Sequence, residues 1–169
     1  GMGVKRLHTR NTLVTETVGH HSANVCGIIM YLYYPEIPPA GLLAAALLHD
    51  VGEYYTGDAP ANAKVENPVL KEALDWSENK YYEECTFPRL VLSHRNKAML
   101  KYADSLDLAF KCVEELELGN CTLGLVWDNV SAYLEKAAST LLKTCDPGEK
   151  QIRQNMMDLQ ESLTSWEKA

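Results

Sequence analysis

Met99, Ala103, Leu106, Phe110 and Val113 recur at steps of four and three residues. That spacing predicts one buried face of a long helix over about residues 96–118, and it fits no strand, whose side chains alternate with a period of two. The same period continues through Val130, Tyr133, Leu134, Ala137 and Leu141, on a helix expected over about 125–143. Ala23, Cys26, Gly27, Met30 and Tyr34 mark a stripe on a first helix, about 15–34, closed by Pro35, Pro38 and Pro39. From about 39 to 55 the chain is apolar nearly all round, through Leu42, Leu43, Leu47 and Leu48, which predicts a helix in the middle of the structure. Further helices are expected over about 68–84, before a break at Phe87-Pro88, and over about 149–166, the latter amphipathic and packed at an edge. Thr56-Gly57-Asp58-Ala59-Pro60 and Asp146-Pro147-Gly148 read as turns, and Gly119-Asn120 as a helix stop. No segment reads as a strand. The expected fold is all-α: a compact bundle of six or more helices in one domain spanning 1–169.

A chain of 169 residues is long enough for one real core. Its formal net charge of −7 argues against a broad nucleic-acid footprint, which needs clustered Lys and Arg. A small anionic substrate is compatible, because a few cations in a cleft hold a phosphate against an acidic background. Cys26, Cys85, Cys112, Cys121 and Cys145 are scattered and form no CxxC pair, which reads as reduced thiols in a cytoplasmic protein and not as a thiolate zinc site. The first ten residues are polar and basic, unlike a signal peptide, and the apolar run 40–48 is too short to cross a bilayer. The sequence therefore points to no membrane and no nucleic-acid polymer as partner.

His49-Asp50 closes the most apolar segment of the chain, where packing alone gives no reason for either residue. Glu53 follows at a spacing that places it on the same face of a helix, and Asp58 lies in the Gly57 loop, where a short acid points back over the helix end. His20-His21 sits on the first helix. Asp104 lies beside Ala103 on the long helix, next to its buried stripe, where a carboxylate costs several kcal/mol unless it is paired or metal-bound. Asp107 sits three residues on, on a similar face. Two histidines and two carboxylates from three helices suit one divalent cation in a bundle core.

His21, His49-Asp50 and Asp104 together resemble the H…HD…D pattern of the HD superfamily of metal-dependent phosphohydrolases. The resemblance extends to the bacterial HD-domain 5′-deoxynucleotidases. It runs through the segments 15–22 (TETVGHHS), 49–60 (HDVGEYYTGDAP), 101–104 (KYAD) and 111–116 (KCVEEL), and covers about residues 4–120, with the remaining helices packed on that core. It implies a helical HD domain whose metal ligands are His21, His49, Asp50 and Asp104. It also implies that Arg6 and Lys64 approach phosphate, and that Glu53 stands near the attacking water and Asp58 near the scissile phosphate. His20, beside His21, reads as a surface residue or else as a further substrate contact. The implied reaction is one-step hydrolysis of the 5′-phosphate ester of a (deoxy)nucleoside monophosphate by water activated on one divalent ion, with Co, Mn, Zn and Fe all compatible with the ligand set.

The chain departs from that pattern in places. Leu7 stands where the deoxynucleotidases carry a tryptophan that helps exclude the ribose 2′-hydroxyl, so sugar choice does not carry over. The spacing is also similar to that of short phage-type HD proteins that release inorganic triphosphate from a dNTP. His94 occupies the position of a phosphate-contacting lysine in those proteins, with Arg95 and Lys97 as neighbouring cations, and Ala63 stands where they carry a proline. Triphosphohydrolysis is therefore the alternative enzyme reading, and a non-catalytic nucleotide-binding HD sensor is the alternative from another class. By the same resemblance, copies of the chain are expected to associate as dimers or larger assemblies, with Leu159, Leu163 and Trp166 of the last helix as the seam. The acidic groups Glu83-Glu84 and Glu114-Glu115-Glu117 read as solvated faces.

Overall fold

The computed structural model describes residues 2–7, 10–85, 90–146 and 148–164. Phe87-Pro88, Pro147 and Trp166, which figured in the expected break, turn and seam, lie outside these residues. The described chain is helical, with α1 (Val18–Tyr33), α2 (Ala40–Leu48), α3 (Glu53–Thr56), α4 (Ala61–Glu66), α5 (Pro68–Glu84), α6 (His94–Glu117), α7 (Gly124–Thr144) and α8 (Lys150–Thr164), and a single 3₁₀ turn at Cys121–Leu123. Among the described residues there is no strand, only an isolated antiparallel bridge between Lys5 and Thr17. The all-α expectation of six or more helices holds, as does the bundle.

Local chemistry sets the helix starts. Thr17 accepts from His20 N–H at α1, Asn67 from Leu70 N–H at α5 with Pro68 in the first turn, and Ser93 from Asn96 N–H at α6. The central element is α6, which packs on α1, α2, α7 and α8. Its expected face is buried: Met99, Ala103 and Leu106 are fully inaccessible and Val113 nearly so. Helix α2 was expected in the middle but lies to one side, with Leu42, Ala45 and Ala46 inward and Leu47 in solvent. It also stops at Leu48, short of the predicted continuation to 55. Beyond it the backbone tightens into i→i−3 bonds (Val51 N–H to Leu48 O, 3.1 Å; Glu53 N–H to Asp50 O, 3.0 Å), and α3 begins afresh. The hydroxyl of Tyr82 on α5 reaches the Leu48 and His49 carbonyls, capping the end of α2 from another helix.

Four further expectations are corrected. The buried face of α1 carries Val18, His21, Ser22, Val25, Ile29 and Leu32, whereas Met30 and Tyr34 of the predicted stripe are exposed. The reason is that His21 must face inward to meet α2 and α6. On α8, Leu163 is buried and Leu159 packs against the core, so neither forms an exposed seam between copies. Glu115 is fully buried, not solvated, because its carboxylate accepts the backbone N–H groups of Leu13 and Val14 and the Asn120 amide. Tyr133, expected on the inner stripe of α7, is exposed. Sequence reasoning also missed α4. All five cysteines are free, and among the described residues no helix is long and apolar enough to cross a membrane.

The N-terminal segment is fastened where it matters for the site. Val18 N–H donates to Val4 O, Gly19 N–H to Met2 O and Arg6 N–H to Glu16 O, all within 3.0 Å. These bonds lay residues 2–6 antiparallel to the start of α1 and bring Arg6 beside His21.

Candidate metal centre

The four donors arrive from three elements. His21 is in the first turn of α1, His49 and Asp50 lie in the tightened turn after α2, and Asp104 projects from about three turns into α6. The two imidazoles face each other, with His21 Nε2 3.1 Å from His49 Nε2. Asp50 Oδ2 lies 3.5 Å from His21 Nε2 and 3.3 Å from His49 Nε2. Asp104 Oδ1 lies 3.3 Å from His21 Nε2. The structure thus gathers His21, His49 and Asp50 into one cluster and sets Asp104 against His21 at its edge.

The tautomers follow from the partners on the far side of each ring. His49 Nδ1 is 2.7 Å from the Ala46 carbonyl, which only accepts, so Nδ1 carries the proton. His21 Nδ1 is 2.6 Å from Asp107 Oδ2 and is likewise the donor. With both rings neutral, the two Nε2 atoms are lone pairs pointing at each other, with two carboxylates alongside. Such a pocket is repulsive unless something positive enters it. Burial opposes a second proton on His21, but the hydrogen bonds to Asp104 and Asp107 outweigh it and push His21 up to about 9. Asp104 is held far below the usual carboxylate range although burial would raise it, chiefly by its bond to His21 and by Lys101. Neutral-N and carboxylate-O donors in this number are the chemistry of a divalent transition metal, and they fit such an ion.

Around the cluster stand further acids and cations. Glu53 is buried, and its Oε2 has no hydrogen-bond partner in the protein. Burial, then the charges of Asp50 and Asp58, push its carboxyl well above the usual range, while Lys64 and Arg6 offset part of the effect. Gly57, at φ 69°, turns the chain after α3 and sends Asp58 back towards the N-terminal segment. Asp58 Oδ2 there accepts Leu7 N–H at 2.7 Å, and Leu7 itself takes φ 51°, a left-handed conformation that a leucine rarely adopts. Arg6 is buried. Its guanidinium reaches Glu16 Oε2 at 3.3 Å and Asp107 Oδ2 at 3.7 Å, and its Nε has no partner. Lys64 lies 3.8 Å from Glu78 Oε1, and Lys101 donates to Asp104 Oδ2 at 2.7 Å. His20 is exposed on α1 and stands apart from the buried cluster.

Sequence reasoning missed Glu16, Glu78 and Lys101 as neighbours of the centre and weighed Asp107 only as a rival to Asp104. The DxxD spacing on one helix was the available signal for Asp107. Nothing local announces Glu16, which is buried where its carboxylate meets Arg6. Arg95, a candidate triphosphate contact, pairs with Glu149 and lies over the ring of Tyr33, its guanidinium carbon 5.9 Å from the ring centre.

The family described as YfbR-like 5′-deoxynucleotidase matches residues 2–145 of the chain. A 5′-deoxynucleotidase of Yersinia pestis (strain Pestoides F) is 28% identical over 138 residues, covering 69% of this chain and 70% of that protein. A 5′-deoxynucleotidase of Yersinia pseudotuberculosis (serotype O:3, strain YPIII) matches to the same extent. Among solved structures, the cyanophage S-2L HD phosphohydrolase DatZ, bound to dA and one catalytic Zn²⁺ ion, superposes with a TM-score of 0.67 at 17% identity, over 95% of this chain and 91% of that one.

Proposed function

The chain belongs to the YfbR-like 5′-deoxynucleotidase family and is a metal-dependent nucleotide phosphohydrolase, and on that premise we propose that it cleaves the 5′-phosphate ester of a (deoxy)nucleoside monophosphate, with one divalent ion held by His21, His49, Asp50 and Asp104. The observation that carries this reading is the pair of Nε2 atoms 3.1 Å apart beside two carboxylates, each ring fixed by its own Nδ1 partner. Co, Mn, Zn and Fe all suit two imidazoles and two carboxylates, and the zinc named in the DatZ structure supports that range. When bound, the ion supplies positive charge to a phosphoryl oxygen and lowers the pKa of water.

The chain's own residues do the rest. Glu53 Oε2, buried and unpaired, orients the attacking water and takes its proton. The water oxygen bonds to phosphorus as the bond to the 5′-oxygen breaks. Asp58, held through Oδ2 by Leu7 N–H, leaves its other oxygen to relay a proton to that departing oxygen. Arg6 and Lys64 neutralise the non-bridging oxygens, and His20 is the outermost contact, at the rim. Engagement of Arg95 by Glu149 and Tyr33 removes one of the cations that a triphosphate would need, which favours the monophosphate. A chain with a formal net charge of −7 suits a free nucleotide better than a nucleic-acid polymer.

The test is product identity. Protein stripped of metal and reloaded with Co²⁺ or Mn²⁺ is offered dAMP, AMP and dATP separately. Nucleoside and orthophosphate from dAMP, with dATP untouched, are expected, and the AMP rate reads whether Leu7 relaxes sugar choice. Deoxyadenosine and intact triphosphate from dATP would move the chain to triphosphohydrolysis. Failure to turn over any nucleotide with metal loaded would refute the proposal and leave the sensor reading.

A further inference from the structure

Helix α6 addresses one imidazole at both of its nitrogens. Asp104 Oδ1 lies 3.3 Å from His21 Nε2, and Asp107 Oδ2, three residues on, lies 2.6 Å from His21 Nδ1. We infer that Asp107 is a positioning residue for the metal centre: it holds His21 in the one tautomer and ring orientation that leave Nε2 as a lone pair facing His49 and Asp50. The inference deepens the proposed function and rests on its reading of His21 as a ligand.

A neutral imidazole carries its proton on either nitrogen, and only the Nδ1–H form donates electrons from Nε2. An acceptor at Nδ1 selects that form, fixes the ring plane and raises the basicity of Nε2. His49 obtains the same service from a helix carbonyl, Ala46 O. His21 has no such option, because the Nδ1 side of its ring faces α6 and not a carbonyl of its own helix.

Asp107 is itself nearly inaccessible, and an isolated carboxylate there would be strongly disfavoured. Arg6 answers that cost. Its Nη1 lies 3.7 Å from Asp107 Oδ2 and 3.3 Å from Glu16 Oε2, so four buried side chains run in line from Glu16 through Arg6 and Asp107 to His21. Arg6 and His21 both face the same oxygen, Oδ2. An asparagine at 107 can therefore present its amide oxygen to both donors and keep the tautomer, while giving up the charge. An alanine keeps neither. If Asp107 served only to neutralise Arg6, loss of its carboxylate would lower stability and leave the ligand set untouched.

The test uses the full chain, stripped of metal, and titrates Co²⁺ in competition with a chromophoric chelator. Circular dichroism checks folding, and the wild type is compared with D107N, D107A and H21A. Asp107→Ala is expected to weaken Co²⁺ binding roughly 10- to 100-fold, as losses of partners behind a metal-ligating histidine do. Asp107→Asn is expected to lose only about a third to a half of that effect on a logarithmic scale, since a neutral acceptor retains roughly half the strength of a charged one. Wild-type affinity in D107A, whatever its melting temperature, overturns the inference. Equal weakening in D107N and D107A also overturns it, because charge alone would then account for the effect. Should D107A fail to fold, D107N decides by itself, and wild-type affinity there refutes the role. If H21A binds Co²⁺ as the wild type does, the ligand reading falls and the inference falls with it. Loss in H21A with none at Asp107 removes only the inference.

Discussion

Glu115→Gln looks conservative and is expected to be one of the costlier substitutions in this chain. Both carboxylate oxygens are in use. Oε2 accepts Leu13 N–H and the Asn120 amide, each at 2.8 Å, and Oε1 accepts Val14 N–H at 2.8 Å with Lys111 Nζ at 3.5 Å. Every one of these partners is a donor. A glutamine offers one oxygen and sets an NH₂ group against at least one buried N–H, so a charge-assisted bond is lost and a backbone donor is left unpaired. At about 1.5–3 kcal/mol for a bond to a charged group, plus about 1 kcal/mol for the orphan, the loss is about 3 kcal/mol. For a chain of this size that lowers the melting temperature by roughly 6–12 °C. The sign with pH follows from the direction of the shift. Burial would raise the Glu115 carboxyl, but Asn120, the two backbone N–H groups and Lys111 hold it at about 2, below its ordinary 4.5. A depressed carboxylate stabilises fully above the ordinary value, and its contribution fades as pH falls towards about 2. Thermal melts of wild type and E115Q should therefore differ fully at pH 7 and converge between about pH 4.5 and 2. Melting within about 1 °C of wild type at pH 7 would refute the reasoning, and so would a gap that does not narrow at low pH.

Metal-stripped wild type should gain about 2.7 kcal/mol of stability when Co²⁺ or Mn²⁺ is supplied at a hundredfold excess over its dissociation constant, read as a rise in melting temperature, and Asp50→Ala should gain little or none. Glu53→Gln and Asp58→Asn should each cut turnover about 10²- to 10⁴-fold with Co²⁺ affinity changed only a few-fold, measured by phosphate release beside the chelator titration; a large loss of metal binding in either would show that the residue belongs to the ligand set. Gly52→Ala should destabilise by about 1–3 kcal/mol in denaturant melts, since a Cβ there would sit 2.8 Å from Glu78 Cβ and 3.1 Å from its Cα, on the helix that caps α2.

The proposed ligands were legible because each stood in a place that packing does not explain, and because the three segments carrying them formed one recognisable pattern. What stood behind the ligands was not legible. Glu115 and Glu114 are adjacent acids with the same local context, yet one is fully buried and the other exposed, and the difference lies in the backbone of Leu13 and Val14, a hundred residues away in sequence. Tyr82 reads as one more tyrosine of an amphipathic helix until its hydroxyl is seen at the carbonyls that end α2. Buried acids and capping hydroxyls depend on which donor or acceptor arrives from elsewhere, and no window along the chain contains that information.

The error on α1 has a different origin and a sharper lesson. That helix is apolar on more than one side: Met30, Tyr31 and Tyr34 are exposed, while Val25, Ile29 and Leu32 are buried. Hydropathy alone therefore left its rotation undetermined, and the stripe through Met30 was one of two that fitted the period. Metal chemistry removes the ambiguity. A ligand at position 21 must face α2 and α6, and residues 25, 29 and 32 follow it at steps of four, four and three along the same face. Taken as the origin of the helical wheel, His21 yields the observed core face directly. The same logic applies to α6, where Asp104 and Asp107 flank the fully buried Leu106 and both reach His21. In this bundle the buried polar cluster thus reports the inward direction more reliably than the apolar residues, since surplus apolar side chains are tolerated at the surface whereas a misdirected buried polar group is not.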